Sequence, residues 1–356
     1  MNAQTQVKPD QQIDMYNVTA RQAKGHLVDI MKAGLVPMLE SSPGMGKSTI
    51  YRAVAKDLNL KFGDHRVSSS VPEDYNGIPK FREDGTATFV PFTDNFPIDS
   101  QEIPKGFDGW LTLMDEANSL PSKSVEAAMY RLVLDREIGN FKCHPNMLLG
   151  MAGNLSTDGA IVTKFGTAMQ TRIVRLKMES NFDEWLEDVA LAQDYDDRVI
   201  AYHKYKDGAV LNTFDPKRPG PQCVERTWEF TDRFIYQKEV KDSMLPVLAG
   251  MIQPEIAADF VQFCKVYKTM ITIADVRADP EGCPVPSDSA TRWAVTAHLM
   301  TKANDENFED LATYADRFDM VFRVLFYRGA LMKNPQLRAH PAFGKNAAKL
   351  NRYLNG

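Results

Sequence analysis

A glycine-rich stretch over residues 41–48, with the sequence SSPGMGKS, constrains this chain more than any other feature. The apolar run 34–39 before it predicts a short buried strand, and the run 49–58 after it predicts a helix. A strand, a glycine-rich turn and a helix in that order are the context of a phosphate-binding P-loop. Gly44 and Gly46 allow the backbone to curl so that successive N–H groups point inward, and the helix N-terminus adds the positive end of its dipole.

The residues of this loop have separate expected roles. Lys47 is expected to reach the β- and γ-phosphates of a nucleotide, and the Ser48 hydroxyl to bind Mg²⁺. Ser41 stands where the usual pattern has its first glycine, and we expect a small residue to be tolerated because the later part of the loop bends closest to phosphate. The residues expected to bind the nucleotide are Ser42, Pro43, Gly44, Met45, Gly46, Lys47, Ser48 and Thr49.

A second apolar run, 109–116, ends in two adjacent carboxylates, Asp115 and Glu116. It predicts a buried strand whose Asp115 lies on the metal side of the site, together with Ser48. Glu116 is then the expected general base that polarises an attacking water. Adjacent carboxylates repel each other, and a bound Mg²⁺ with its waters offsets this repulsion.

Two further segments supply polar groups for the same chemistry. The apolar run 148–154 predicts a third buried strand that ends at Asn154, whose amide is expected beside the γ-phosphate. The segment 171–176 offers Arg172 and Arg175, and a guanidinium at the γ-phosphate stabilises the charge that develops in phosphoryl transfer. Position favours Arg172, although the sequence does not separate the two.

Together these motifs resemble an AAA+ ATPase of the MoxR-like branch, over roughly residues 15 to 240. The resemblance implies that Asn154 corresponds to sensor 1 and Arg172 to an arginine finger that acts on the neighbouring subunit's nucleotide. It also implies that Arg226 contacts the γ-phosphate as sensor 2, although Glu225 stands where the branch usually has proline. The further matching segments are 113–118, 121–129, 135–138 and 224–229.

The resemblance also has implications for assembly. It implies a ring, usually of six subunits, with nucleotide at the subunit interfaces. The segment 77–92 predicts a β-hairpin with Asp84-Gly85 as its turn, and MoxR-like proteins carry such an insert. In the ring this insert is expected to face the pore or one axial surface, where a substrate or adaptor would bind. The alternative is a surface hairpin without a partner.

The 356 residues predict an α/β architecture. It comprises a flexible tail over 1–14, an AAA+ P-loop NTPase parallel-sheet domain over 15–180, a helical lid over 181–275 and a helical C-terminal extension over 288–356. No run of about 18 apolar residues predicts a membrane span, and the polar residues 1–14 do not resemble a signal peptide. The four scattered cysteines favour reduced thiols, so we expect a cytoplasmic protein without membrane association.

Charge is distributed unevenly along the chain. The formal net charge of −5 disfavours a protein that coats nucleic acid, yet the segment 320–356 carries seven basic residues and no acidic one. The segment 183–197 is acidic and contains no lysine or arginine. Both segments fit solvated helix faces, or acidic and basic surfaces that meet between subunits or at a partner. A nucleic-acid contact by the basic segment is a further alternative.

The leading hypothesis is Mg²⁺-dependent ATP hydrolysis in a homo-oligomeric ring, hexameric by analogy, that remodels or matures a protein partner. The resemblance implies a von Willebrand A domain protein as adaptor. A DNA-processing AAA+ motor is one alternative, for which Lys80, Arg82 and the basic C-terminal segment are the candidate contacts. A nucleotide-gated scaffold is another, and Glu116 and Arg172 disfavour it because a switch does not need them. The motifs contact phosphates, so they do not distinguish ATP from GTP.

Overall fold

The computed structural model describes residues 16–158, 163, 165–268 and 271–345. The chain divides between Ser180 and Asn181 into two compact units. We call residues up to 180 the sheet unit and those from 181 the helical unit. The expected tail over 1–14 lies outside the described residues.

The sheet unit is built on parallel strands. They are β1 (Asn17–Val18), β2 (Val36–Ser41), β3 (Leu60–Arg66), β6 (Gly109–Asp115), β9 (Met147–Asn154) and β10 (Ile173–Met178). Among the described residues these strands form a six-stranded sheet in the order β1-β10-β2-β9-β6-β3, and all neighbours in it are parallel. This confirms the predicted parallel α/β architecture. The helices of this unit are α1 (Ala20–Lys32), α2 (Lys47–Asp57), α3 (Glu73–Asn76), α4 (Lys123–Asp135) and α5 (Thr167–Gln170).

The strands are buried because helices cover both faces of the sheet. Successive residues of a strand point to opposite faces, so Leu39 packs with residues of α1 and α2, whereas Met38 packs with residues of α4. Tyr51 of α2 is fully buried against Gly150, and its hydroxyl donates to the Met151 carbonyl at 2.9 Å. The P-loop helix is therefore fixed directly to the central strand β9.

Three short elements accompany the sheet. The hairpin of β4 (Ile78–Phe81) and β5 (Ala87–Val90) is antiparallel, and its turn lies between Arg82 and Thr86, which confirms the predicted hairpin. A second small hairpin joins β7 (Glu137–Ile138) to β8 (Phe141–Lys142). A 3₁₀ turn over Val67–Ser69 follows β3 directly.

The helical unit is described by its helices. They are α6 (Phe182–Trp185), α7 (Asp197–Tyr205), α8 (Glu225–Ile235), α9 (Leu245–Ile252), α10 (Pro254–Lys268), α11 (Ile273–Ala278), α12 (Ser289–Lys302), α13 (Phe308–Ala315) and α14 (Met320–Lys333). Helices from 181–275 and from 288–345 both contribute to one hydrophobic cluster. The first helix continues as a π-helix over Leu186–Leu191. On α14 Phe322 and Phe326 are buried, whereas Val321 is 62% exposed.

The acidic and basic segments of the helical unit meet within one chain. Arg328 pairs with Glu187, and Lys333 pairs with Asp194. These ion pairs join the C-terminal helix α14 to the acidic stretch that begins the unit. They occupy two of the basic side chains that the sequence made available to a partner.

No helix among the described residues combines the length and the apolar composition that crossing a membrane requires.

Candidate active site

The loop between β2 and α2 has the backbone of an anion-binding turn. Gly44 and Gly46 take φ values of +80° and +77°, which side-chain-bearing residues rarely adopt. Gly46 is also the N-cap of α2, and no side chain caps the helix there. The first N–H groups of α2, which include that of Thr49, lie at a helix start without a capping side chain and can donate to an anion.

Ser41 fits its position although the usual pattern has glycine there. It is the last residue of β2, is fully buried and does not take a positive φ. Its hydroxyl donates to the Ser42 carbonyl at 3.0 Å and accepts from Lys47 Nζ at 3.1 Å. Because the backbone at this point is extended, the serine introduces no strain.

The Lys47 ammonium lies inside the curl of the loop. Lys47 is buried, and its Nζ donates to the carbonyl oxygens of Ser41 at 3.0 Å and Ser42 at 3.2 Å. It also donates to Asn154 Oδ1 at 3.2 Å. The P-loop lysine and the predicted sensor asparagine are thus in contact, as their strands β2 and β9 are neighbours in the sheet.

Ser48 and Asp115 come together although 67 positions separate them. The Ser48 hydroxyl donates to Asp115 Oδ2 at 2.6 Å, and Asp115 Oδ1 accepts from the Glu116 N–H at 2.8 Å. Hydroxyl and carboxylate oxygens are ligands that Mg²⁺ prefers. The predicted metal-binding pair is therefore assembled at the end of β6.

Glu116 lies at a turn and is held by two residues that the sequence did not single out. Its φ of +54° takes the chain out of the sheet directly after Asp115. Ser68 Oγ donates to Glu116 Oε2, and Arg66 Nη1 lies 3.7 Å from Oε1. Both partners follow from the pairing of β3 with β6, in which Arg66 is opposite Asp115. Polar residues at the end of β3 were the available signal, but that strand was not predicted.

A buried polar cluster supports the turn that carries Ser68. The hydroxyls of Ser70 and Tyr75 lie 2.8 Å and 3.1 Å from His65 Nε2. Burial lowers the pKa of His65 and raises the pKa of Tyr75 to about 12, so both are neutral near pH 7. Burial, with a smaller effect of the Asp115 carboxylate, raises the pKa of Asp64.

The two candidate arginines have different environments. Arg175 donates from Nε and Nη2 to the two carboxylate oxygens of Glu40, at 2.8 Å each. Arg172 is exposed and precedes β10, whose Ile173 is opposite Val36 at the start of β2. The P-loop follows Ser41 at the other end of β2. The five residue steps from Val36 to Ser41 span about 17 Å at a strand rise of ~3.3 Å per residue. Arg172 therefore lies where the parallel strands begin, which is the opposite edge of the sheet from the P-loop of its own chain, where the strands end.

Arg226 belongs to the helical unit. It is the second residue of α8 and is exposed. Glu225, in the place where the branch usually has proline, begins this helix, and the Thr227 hydroxyl accepts from the Val224 N–H at 3.0 Å.

The donor set at the sheet edge fits a magnesium nucleotide. Uncapped N–H groups and the Lys47 ammonium suit phosphate oxygens, and the oxygens of Ser48 and Asp115 suit the metal. Within the described ranges no cluster of three His, Cys, Asp or Glu side chains forms a separate metal site. With Ser48 and Asp115 as side-chain ligands, Mg²⁺ would share its coordination sphere with the phosphates, which is the usual arrangement for this ion.

No protein-family model matches the sequence, and no curated protein matches it. Among solved structures, a protein of Cytophaga hutchinsonii assigned as an ATPase aligns over 86% of this chain and 79% of its own, with 14% identity and a TM-score of 0.34. A point mutant of RuvB from Thermotoga maritima aligns over 72% of this chain and 79% of its own, with 16% identity and a TM-score of 0.36. These likenesses are distant, so we derive the function from this chain's own side chains.

Proposed function

We propose that this protein is a Mg²⁺-dependent ATPase of the AAA+ type. The single observation that carries the proposal is the contact of Ser48 with Asp115 beside a loop whose Lys47 also reaches Asn154. The contact joins the two motifs that a P-loop hydrolase needs, one for phosphate and one for metal.

The chain's own groups account for binding. The N–H groups at the start of α2 donate to phosphate oxygens, and Lys47 exchanges the carbonyls of Ser41 and Ser42 for the β- and γ-phosphates. Ser48 and Asp115 would hold Mg²⁺, which neutralises charge on the β- and γ-phosphate oxygens when bound. The Asn154 side-chain amide lies beside the Lys47 ammonium, from which its Oδ1 accepts a hydrogen bond.

Glu116 is the general base in this proposal. A carboxylate that accepts a proton from water must be free on the side that faces the water. Glu116 instead accepts from Ser68 and lies near Arg66. We propose that its side chain turns away from Ser68 before hydrolysis, which makes the described arrangement a resting one.

We further propose a homo-oligomeric ring of the MoxR-like kind, with six subunits by analogy. The position of Arg172 supports this, because an exposed arginine at the far edge of the sheet is placed for a neighbour's nucleotide. Arg226 would approach the γ-phosphate from the helical unit as a second contact. Both arginines stabilise charge that develops during phosphoryl transfer.

The proposed output is remodelling or maturation of a protein partner, through a von Willebrand A domain adaptor. The hairpin β4–β5 supports a protein partner because its apolar side chains are exposed, Phe81 at 79% and Ile78 at 47%. The DNA-motor alternative has less support. Two of the basic side chains it depends on, Arg328 and Lys333, are paired within the chain.

The test compares wild type with Glu116→Gln and Lys47→Ala. We expect wild type to hydrolyse ATP only with Mg²⁺, Glu116→Gln to bind ATP while kcat falls by about 10²- to 10⁴-fold, and Lys47→Ala to lose binding. Glu102→Gln, which changes an exposed carboxylate outside the site, is the matched control. The assignment would be refuted if wild type did not hydrolyse ATP in the presence of Mg²⁺. It would also be refuted if Glu116→Gln hydrolysed ATP at the wild-type rate.

The same assay, run with GTP, with DNA and alongside particle-mass measurement, tests the finer proposals. Assembly that depends on ATP, with a rate unaffected by DNA, supports protein remodelling. Strong stimulation by single-stranded or duplex DNA would favour the DNA motor. Assembly on ATP with negligible turnover would favour the nucleotide-gated scaffold.

A further inference from the structure

We propose that Asn118 is a positioning residue that fixes the direction of the Asn154 side chain at the P-loop. The proposal rests on the ATPase function proposed above. Asn118 lies three positions after Asp115, in the segment that leaves the sheet, and it is 3% exposed. Its hydrogen bonds among the described residues are to Asn154 and Thr163 and not to the phosphate loop, so we expect any effect on turnover to pass through a neighbour.

The Asn118 side chain replaces a missing strand at the end of β9. The register of β6 with β9 ends at Met114 and Met151, and the Ala117 N–H then donates to the Ala152 carbonyl at 2.8 Å. Beyond that point Asn118 Nδ2 donates to the Asn154 carbonyl at 2.8 Å, and Oδ1 accepts from the Asn154 N–H at 3.2 Å. A primary amide offers the same donor and acceptor as a peptide unit, so it continues the ladder.

The chain leaves room for this clamp at Gly153. A Cβ added there would lie 2.4 Å from Asn118 Oδ1 and 2.5 Å from the Met38 Cε on the neighbouring strand. Any side chain at this position would displace both of them. The glycine of the Ala152-Gly153-Asn154 segment is therefore required by the approach of Asn118.

The clamp matters because Asn154 is held from both sides. β2 pairs with it at Ser41, and Asn118 pairs with its other edge. With both backbone groups fixed, the Asn154 side chain reaches Lys47 Nζ at 3.2 Å. A displacement of about 1 Å in such a group can cost about 10²-fold in rate.

The test uses the nearly isosteric change Asn118→Asp, which keeps the acceptor for the Asn154 N–H and places a carboxylate oxygen against its carbonyl. We expect kcat for ATP to fall by roughly 10- to 100-fold while KM changes little, because Asn118 does not touch the nucleotide. Asn140→Asp, the same change at an exposed position, should leave kcat unchanged.

A double-mutant cycle separates positioning from a structural role. Asn154→Ala removes the side-chain amide but keeps the backbone groups that Asn118 contacts. If Asn118 acts through the Asn154 amide, Asn118→Asp causes little further loss of kcat in that background. An equal loss in both backgrounds, or no loss in the wild-type background, would overturn the proposal.

A binding measurement keeps the two proposals distinguishable. The measured quantity is the ratio of the affinities for fluorescent AMP-PNP and ADP, which expresses the preference for AMP-PNP. This preference should fall by about tenfold in Asn118→Asp. The double variant Asn118→Asp/Asn154→Ala should show no larger fall. If wild type binds AMP-PNP and ADP but does not hydrolyse ATP, the ATPase proposal fails and this preference still tests the clamp. If Asn118→Asp does not fold, Asn118→Ala is measured in the same cycle. Binding of neither nucleotide by wild type would overturn both.

Discussion

The Ser48 hydroxyl donates to Asp115 Oδ2 at 2.6 Å and so joins the first turn of α2 to the end of β6. This hydrogen bond places two oxygens of different motifs within the reach of one small cation. A direct contact of this kind also shows that the pair is assembled by the fold itself. A bound Mg²⁺ would replace this hydrogen bond at an arrangement that already exists without it.

Loss of the Ser48 hydroxyl should weaken magnesium binding at the site in a measurable way. We expect Ser48→Ala to raise the Mg²⁺ concentration for half-maximal ATPase activity by about 10- to 100-fold, because one oxygen ligand is lost. Ser48→Thr keeps the hydroxyl and should stay near wild type. A magnesium titration at saturating ATP measures this, and an unchanged midpoint in Ser48→Ala would contradict the role.

Removal of the Ser68 hydroxyl should release Glu116. Because a hydrogen bond to a charged group stabilises the resting arrangement, we expect Ser68→Ala to raise basal kcat by up to about tenfold. The neighbouring hydroxyl of Ser69 bonds to the Arg66 carbonyl, so Ser69→Ala is the control. Steady-state ATPase rates measure the change. A lower kcat in Ser68→Ala would mean that Ser68 supports the catalytic position instead.

Arg172 and Arg175 should differ in which property they affect. We expect Arg172→Ala to lower kcat by about 10³-fold, as loss of an arginine finger does, with little change in stability. Arg175→Ala leaves the Glu40 carboxylate, which is 7% exposed, without its partner. The free energy of unfolding should fall by about 1–3 kcal/mol. Urea denaturation and ATPase rates on both variants separate the two effects.

A mixture of subunits tests whether Arg172 acts on a neighbour. Arg172→Ala subunits keep an intact P-loop, and Lys47→Ala subunits keep an intact arginine. Mixed rings should therefore regain part of the activity that each variant lacks alone. The absence of any recovery would exclude an arginine that acts between subunits.

Acid should destabilise the helical unit through His203. This residue is fully buried among aromatic rings, with Trp228 at 4.3 Å and Trp185 at 4.8 Å between ring centroids. Neither ring nitrogen has a hydrogen-bond partner among the described residues, and burial lowers the pKa of His203 from 6.5 to about 3. The unfolded chain thus binds the proton first, so stability falls as the pH drops below about 6.5.

Between pH 6.5 and 5 this linkage lowers the free energy of unfolding by about 2 kcal/mol. His203→Phe removes the titrating group and keeps an aromatic ring. We expect the stability difference between the variant and wild type to shift in favour of the variant by that amount over this range. Denaturation at several pH values measures it, and parallel pH profiles would contradict the prediction.

The strands that carry the site could be predicted because each is a short apolar run that ends in polar residues. β6 and β9 lie where their patterns indicated, and β2 begins two residues later than expected, at Val36. β3 escaped prediction because its sequence, LKFGDHR, is largely polar and only part of it is buried. The contacts of Ser68 and Arg66 with Glu116 depend on β3, so they were not predicted either.

Other contacts could not be predicted because they are set by register between distant strands. Nothing local to Asn118 indicates that its amide continues the ladder of β9. Likewise Arg175 and Glu40 are 135 positions apart and meet only because β10 pairs with β2. From the sequence alone, Arg175 is also a candidate for the arginine finger. The bidentate contact of Arg175 with Glu40 makes Arg172 the better candidate for the proposed role.

The placement of Arg172 and the P-loop at opposite edges of one sheet has a consequence for how activity depends on protein concentration. Under the proposed role of Arg172, no single chain can complete its own site. The specific activity per subunit should then rise with enzyme concentration and level off once assembly is complete. A dilute solution of monomers would bind nucleotide and leave it intact, so assembly alone would decide when ATP is consumed.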